Sequence, residues 1–86
     1  VNRVIFIQAA QREVIAALDW YEGEMARLGE RFRKAPDAVV SRVADDPRQF
    51  PIVSKNVHRA LLRRFPYCLF LVVEGESLFV IACFHA

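Results

Sequence analysis

The sequence predicts an α+β fold with the element order β-α-α-β-β-β, and three observations carry that prediction. Val4-Ile5-Phe6-Ile7 is a β-branched and aromatic run that gives way, from Ala9, to apolar residues at helical spacing. Two helical series follow one another with only Gly29 as punctuation. From Val57 the pattern returns to short apolar runs, broken by Phe65-Pro66 and by Glu74-Gly75-Glu76-Ser77.

The first strand, Val4 to Ile7, has no polar alternation and is expected to be buried on both faces. In the first helix, Val14, Leu18, Tyr21, Met25 and Leu28 step by four, three, four and three, which stacks them on one face. Arg12, Glu13, Asp19, Glu22 and Glu24 fall mostly outside that stripe, and the acids at 19, 22 and 24 read as a solvated face. A helix from Ala9 to Leu28 spans about 30 Å, and Gly29 supplies the left-handed position that ends it. The second helix buries Phe32, Ala35, Val39 and Val43 and stops at Asp45-Asp46-Pro47. Pro36 removes one backbone bond and clashes with the carbonyl of Phe32, so this helix is either kinked at Pro36 or begins there. The pair forms an antiparallel hairpin.

Residues 47–56 read as a loop, and three strands follow at Val57–Arg64, Tyr67–Val73 and Leu78–Phe84. The last is apolar at every position and is expected to be central. Counting directions sets the first strand antiparallel to the last if the two are neighbours. A two-residue turn at Gly75-Glu76 opposes Glu74 to Ser77 and, counting outwards, Cys68 to Cys83. The two cysteines are then expected on the same side of the sheet as free, packed thiols.

Eighty-six residues make one domain, whose folding buries only about 60% of its unfolded surface. A composition of 55% hydrophobic and 26% charged residues excludes a disordered chain. No apolar run approaches the roughly 18 residues of a membrane span and no signal peptide opens the chain, so a cytoplasmic protein without membrane contact is expected. Two cysteines make neither a disulfide framework nor, alone, a zinc site, and neither a metal nor another cofactor is expected. The net charge of +2 is unevenly spread: residues 47–73 carry Arg48, Lys55, Arg59, Arg63 and Arg64 and no acid. Arginine's planar fork suits phosphate or carboxylate, so residues 55–64 are either a polyanion-binding segment or a solvated strip.

Three stretches carry a further likeness: Trp20-Tyr21-Glu22 with Leu28-Gly29-Glu30-Arg31-Phe32; Asp46-Pro47 with Phe50-Pro51; and Arg59-Ala60-Leu61-Leu62-Arg63-Arg64-Phe65-Pro66-Tyr67, running on to His85. In them the chain resembles the RelE/ParE superfamily of type II toxin–antitoxin toxins, above all its ParE branch of plasmid stabilisation proteins. The resemblance implies a two-layer fold over residues 1–86, with a helical hairpin packed on an antiparallel sheet whose last strand lies beside the first. It implies a cognate antitoxin whose C-terminal segment wraps the toxin, in a complex that could be a heterotetramer, or a homodimer of the toxin. It implies growth inhibition through DNA gyrase in ParE-like members, or through mRNA on the ribosome in RelE-like members. Relatives usually continue past the final histidine with a basic tail, so this chain, which begins at Val1, is expected to be the domain without that tail. Pro36 is unusual in the family's second helix.

For ribonuclease chemistry the candidates are Arg59 and Arg63, expected on one strand face with Leu61 between them, and His85 as acid or base. In several ribonuclease members a tyrosine follows the histidine and an arginine opens the third strand; here those places hold Ala86 and Tyr67. For a binding protein the candidates are Trp20, Lys55, Arg59, Arg63 and Arg64, with charge at 59 and 63 equally serving to blunt a sheet edge. His58 is expected to face solvent, Tyr21 to join the core, and Trp20 to cover the hairpin's flank or receive a partner's apolar segment. The expectation is a toxin that binds its target, with an mRNA endonuclease or a non-toxic antitoxin-binding relic as alternatives. No glycine-rich phosphate loop, paired-carboxylate signature or Cys–His nucleophile is present in the sequence.

Overall fold

A computed structural model describes residues 2–86. Strand β1 (Arg3–Phe6) leads into helices α1 (Gln8–Glu24) and α2 (Leu28–Asp45), then a single 3₁₀ turn (Pro47–Gln49). Strands β2 (Ile52–Ser54), β3 (Val57–Leu61), β4 (Tyr67–Glu74) and β5 (Ser77–His85) complete a five-stranded sheet in the order β1-β5-β4-β3-β2. The helical hairpin covers one face. Its core joins Ala10 and Ala17 of α1 and Phe32, Val39, Val40 and Val43 of α2 to Ala60, Leu69, Leu71, Leu78 and Val80 of the sheet. β5 is an interior strand, between β1 and β4, while the middle place in the order, expected for β5, belongs to β4.

The β1–β5 pair is parallel, not antiparallel. The reason lies in residues 47–56, which are not a plain loop. Ile52–Ser54 pairs antiparallel with β3 and adds one reversal of direction before the meander, so every later strand points the opposite way. β1 is also an edge strand with Arg3 and Val4 exposed, not one buried on both faces.

The helix junction departs from expectation too. α1 ends at Glu24, leaving Met25 51% exposed, and the left-handed residue is Arg27, at φ 73°. Gly29 lies inside α2 for a different reason. A Cβ there would stand 2.9 Å from the Leu18 carbonyl oxygen and 2.9 Å from the Glu22 Cβ, so the missing side chain lets the helices cross closely. Glu22 is not an idle solvated acid: its carboxylate accepts from the backbone N–H groups of Arg27 and Gly29, both at 3.0 Å, filling the cap of α2. α2 runs through Pro36, which is fully buried, leaving the Phe32 carbonyl without its usual intrahelical donor.

The β4–β5 register follows the two-residue turn from Glu74↔Ser77 to Leu71↔Val80, then jumps to Phe70↔Ala82. Ile81 is the extra residue of a β-bulge. Beyond it Cys83 opposes Leu69 and Cys68 opposes Phe84, so the two thiols are not cross-strand partners and lie on opposite faces. Both are free and buried. Past the bulge, the Cys83 N–H donates to Oε1 of half-buried Glu13 at 2.9 Å, pinning α1 to β5.

Candidate functional site

After β3 ends at Leu61 the chain bends rather than continuing as strand to residue 64. Leu62 is buried and its N–H donates to the Tyr67 carbonyl at 2.9 Å. Phe65 packs edge-on against Phe32 and Tyr21, with ring centroids 5.1 Å and 5.0 Å away. Between these anchors Arg63 and Arg64 are exposed, Arg64 at φ 71°. They face α2 across a groove of about 520 Å³.

The far wall of the groove is one face of α2. Leu28, Arg31, Ala35, Ala38 and Arg42 line it, stepping by three, four, three and four, with Lys34 alongside. The floor is apolar, formed by Leu28, Ala35, Ala38, Val39 and Phe65. Five cations, Arg31, Lys34, Arg42, Arg63 and Arg64, line this groove and no carboxylate does. Two of the nearby acids are engaged elsewhere. Glu30 pairs with Arg33 at 2.7 Å, which holds its carboxyl below its ordinary range, and Asp46 pairs with Arg48 at 2.9 Å with the same effect. These two are the salt bridges among the described residues, and neither uses a groove cation. Arg42 is half-buried with its guanidinium 5.2 Å from the centroid of the Phe50 ring.

The sequence candidates are therefore divided. Arg63 and Arg64 belong to the groove. Arg59 does not share a face with Arg63: it neighbours core residue Ala60 and projects from the opposite face of the sheet, in register with Phe70. Lys55 lies at the tip of the β2–β3 turn, at φ 49°. Trp20 is 59% exposed and touches Tyr21 edge-on at 5.0 Å, so it is not a packed flank residue. Arg31, Lys34 and Arg42 do not stand out in the sequence, because net charge by segment hides cations interleaved with acids along a helix; their separation of three and eight positions is the signal it offers.

The histidines stand apart from the groove. His58 is half-buried rather than solvent-facing, with Nδ1 3.0 Å from the Phe50 carbonyl oxygen. His85 is exposed, its Nδ1 is 3.0 Å from the Ala86 carbonyl oxygen, and its ring meets Tyr67 edge-on at 5.1 Å. Tyr67 in turn reaches Tyr21, whose phenol is pushed above its ordinary pKa by burial first and by Tyr67 second, and so offers no base near neutrality. Among the described residues no cluster of His, Cys, Asp and Glu could hold a metal. No helix is long and apolar enough to cross a membrane.

No protein-family model matches the chain, and no curated protein does. Among solved structures it is similar to the chromosomal ParDE TA system from P. aeruginosa, with a TM-score of 0.71 and 19% identity over 98% of this chain and 95% of that one. It is also similar to the intact E. coli RelBE toxin–antitoxin complex, with a TM-score of 0.62 and 19% identity over 100% of this chain and 98% of that one. The likeness is one of fold: the chain has the α+β architecture of these structures, a helical hairpin on a sheet with β1 beside β5.

Proposed function

We propose that this chain is the toxin of a type II toxin–antitoxin pair, ParE-like in acting by binding, with DNA gyrase as its target and a cognate antitoxin as its neutralising partner. The fold it shares with ParDE and RelBE structures supports the class. The observation that carries the mode of action is the groove, where five cations meet without one group able to accept a proton near neutral pH. Phosphodiester cleavage needs an acid and a base within hydrogen-bond reach of the reacting oxygens. A cationic surface without them grips a partner and leaves its bonds intact.

A second reading, an mRNA endonuclease, draws on the Tyr67–His85 contact, which places an imidazole beside a phenol at the end of the sheet. Expression in a susceptible host separates the two. The binding toxin gives filamentation and DNA damage with mRNA intact, and inhibits gyrase supercoiling with purified components. Codon-phased mRNA cuts that vanish with His85→Ala would establish the endonuclease instead. Absence of growth arrest, with retained binding to the product of an adjacent antitoxin frame, would mark a non-toxic relic.

A further inference from the structure

The groove beside α2 also has the size and chemistry of a small-ligand site. We infer that it binds a nucleoside polyphosphate, with the phosphates on the cationic rims and the base on the apolar floor beside Phe65. This goes beyond the toxin reading and does not rest on it. At about 520 Å³ the groove falls within the roughly 300–1,000 Å³ of sites that take small molecules. Such sites are mostly apolar, with a few polar groups that fix orientation. Here the floor is apolar and the charged groups at its rims are all cations.

The rims call for more than one negative charge. Arg31, Lys34, Arg63 and Arg64 are exposed and enter no salt bridge among the described residues. A single carboxylate, such as the head of a fatty acid, leaves most of them unpaired. A chain of phosphates presents several anionic oxygens in a row, and arginine's fork takes two of them at once. Part of the site is set in place before a ligand arrives. Arg42 lies against the Phe50 ring. Arg63 and Arg64 sit on a bend anchored by Leu62 and Phe65, with Arg64 in a backbone conformation that glycine would hold without steric cost. A site already in its binding shape loses less conformational freedom on binding.

The floor calls for a flat apolar group. Phe65 is half-buried, set edge-on against Phe32 and Tyr21, and lines the groove. A base stacks on such a ring whatever its identity, and the short side chains of Ala35 and Ala38 leave room beside it. Inorganic phosphate would leave this floor in water. A nucleic-acid strand would lay its sugars across the floor and find one ring on which to stack.

The test is calorimetric titration of the purified chain, in metal-free buffer, with ATP, inorganic triphosphate, adenosine, dodecanoate and a short single-stranded RNA. ATP is expected to bind at one site per chain at micromolar concentration and at least tenfold tighter than triphosphate, with no measurable binding of adenosine. Ala38→Glu, at an exposed helical position, and Arg63→Glu are each expected to weaken ATP at least tenfold. Arg59→Glu, on the opposite face of the sheet, is expected to change it less than threefold. The inference is overturned by the absence of saturable ATP binding, by triphosphate or dodecanoate binding as tightly as ATP, or by an Ala38→Glu variant that binds ATP like the wild type. Equal losses from Arg59→Glu and Arg63→Glu, or RNA that binds tighter than ATP and loses as much to Ala38→Glu, would also overturn it. A circular dichroism spectrum and melt of each variant confirm that it is folded. Growth arrest is measured separately, so a chain that arrests growth yet ignores ATP refutes this ligand and leaves the toxin reading standing.

Discussion

The groove along α2 and the Tyr67–His85 end of the sheet are made from opposite materials. The first collects guanidinium and ammonium groups over an apolar floor and has nothing that titrates near neutrality. The second holds an imidazole against a phenol ring, and no hydrogen bond among the described residues ties either ring to a carboxylate or an arginine. Recognition of anions needs fixed positive charge. Acid–base catalysis needs a tunable proton beside it. Here the two requirements are met in separate places, and the proposed binding role rests on that separation.

The regions are nevertheless joined through one side chain. Phe32 is fully buried and packs against Phe65 beside the groove and against Tyr67 beside His85, at 5.1 Å and 5.3 Å between ring centroids. Phe32→Ala is expected to cost about 3–5 kcal/mol, a large part of the 5–15 kcal/mol typical of a whole domain. Urea unfolding followed by tryptophan fluorescence and by circular dichroism measures it. A loss under about 1 kcal/mol would mean that the two ends do not depend on a common core.

Gly29→Ala acts on the groove's end of α2 alone. The new methyl meets the Leu18 carbonyl, which cannot swing aside as a side chain would, so a loss of about 1–3 kcal/mol is expected. For a domain this small that lowers Tm by roughly 4–8 °C per kcal/mol. An unchanged Tm would show that the helices can separate there at no cost.

The pH response belongs to the other region. Burial first, then Glu13 and then Cys68, push the Cys83 thiol up to about 11. Because the folded pKa lies above the unfolded one, the protonated thiol's contribution is fully present below the ordinary thiol range and is lost as pH rises towards 11. Stability is expected to decline over that window, and Cys83→Ala to flatten the decline. A wild-type curve as flat as that of the variant would contradict it.

The smallest effect expected is that of Arg64→Gly. Arg64 holds a left-handed backbone, which glycine adopts without steric cost, so stability should hold or rise by up to about 1 kcal/mol. The groove meanwhile loses one cation. A parallel fall in stability and in nucleotide affinity would show that Arg64 supports the bend itself.

The elements that came through in the sequence were those written as repeated local choices: the two helical series, the turn at Gly75-Glu76 and the apolar run of β5. What failed depended on single residues acting at a distance. Ile52-Val53-Ser54 is too short for its pattern to outweigh the prolines around it, yet it reverses every later strand direction. Ile81 shifts a register that turn geometry alone would have carried to Cys83. Glu13 and Glu22 look like surface acids until the partners they meet, a bulged strand and a helix start, are in place. The site was half legible for a related reason. Arg63 and Arg64 stood in an acid-free segment, whereas Arg31, Lys34 and Arg42 share α2 with Glu30 and Asp37 and separate from them only once the helix faces are known.

The parallel seam between β1 and β5 has a consequence for how the molecule comes into being. Every other pair of neighbouring strands is also adjacent along the chain, while Arg3 must wait for Ser77. On a ribosome, β1 emerges first and stays without a neighbour while the hairpin of helices and most of the sheet are being made. Closing so long a loop is entropically unfavourable and is rewarded only when the last strand arrives. A chain interrupted before Ser77 therefore has no partner for β1 and lacks β5, the strand on which α1 packs. Completion of the sheet is in this way a late event of translation.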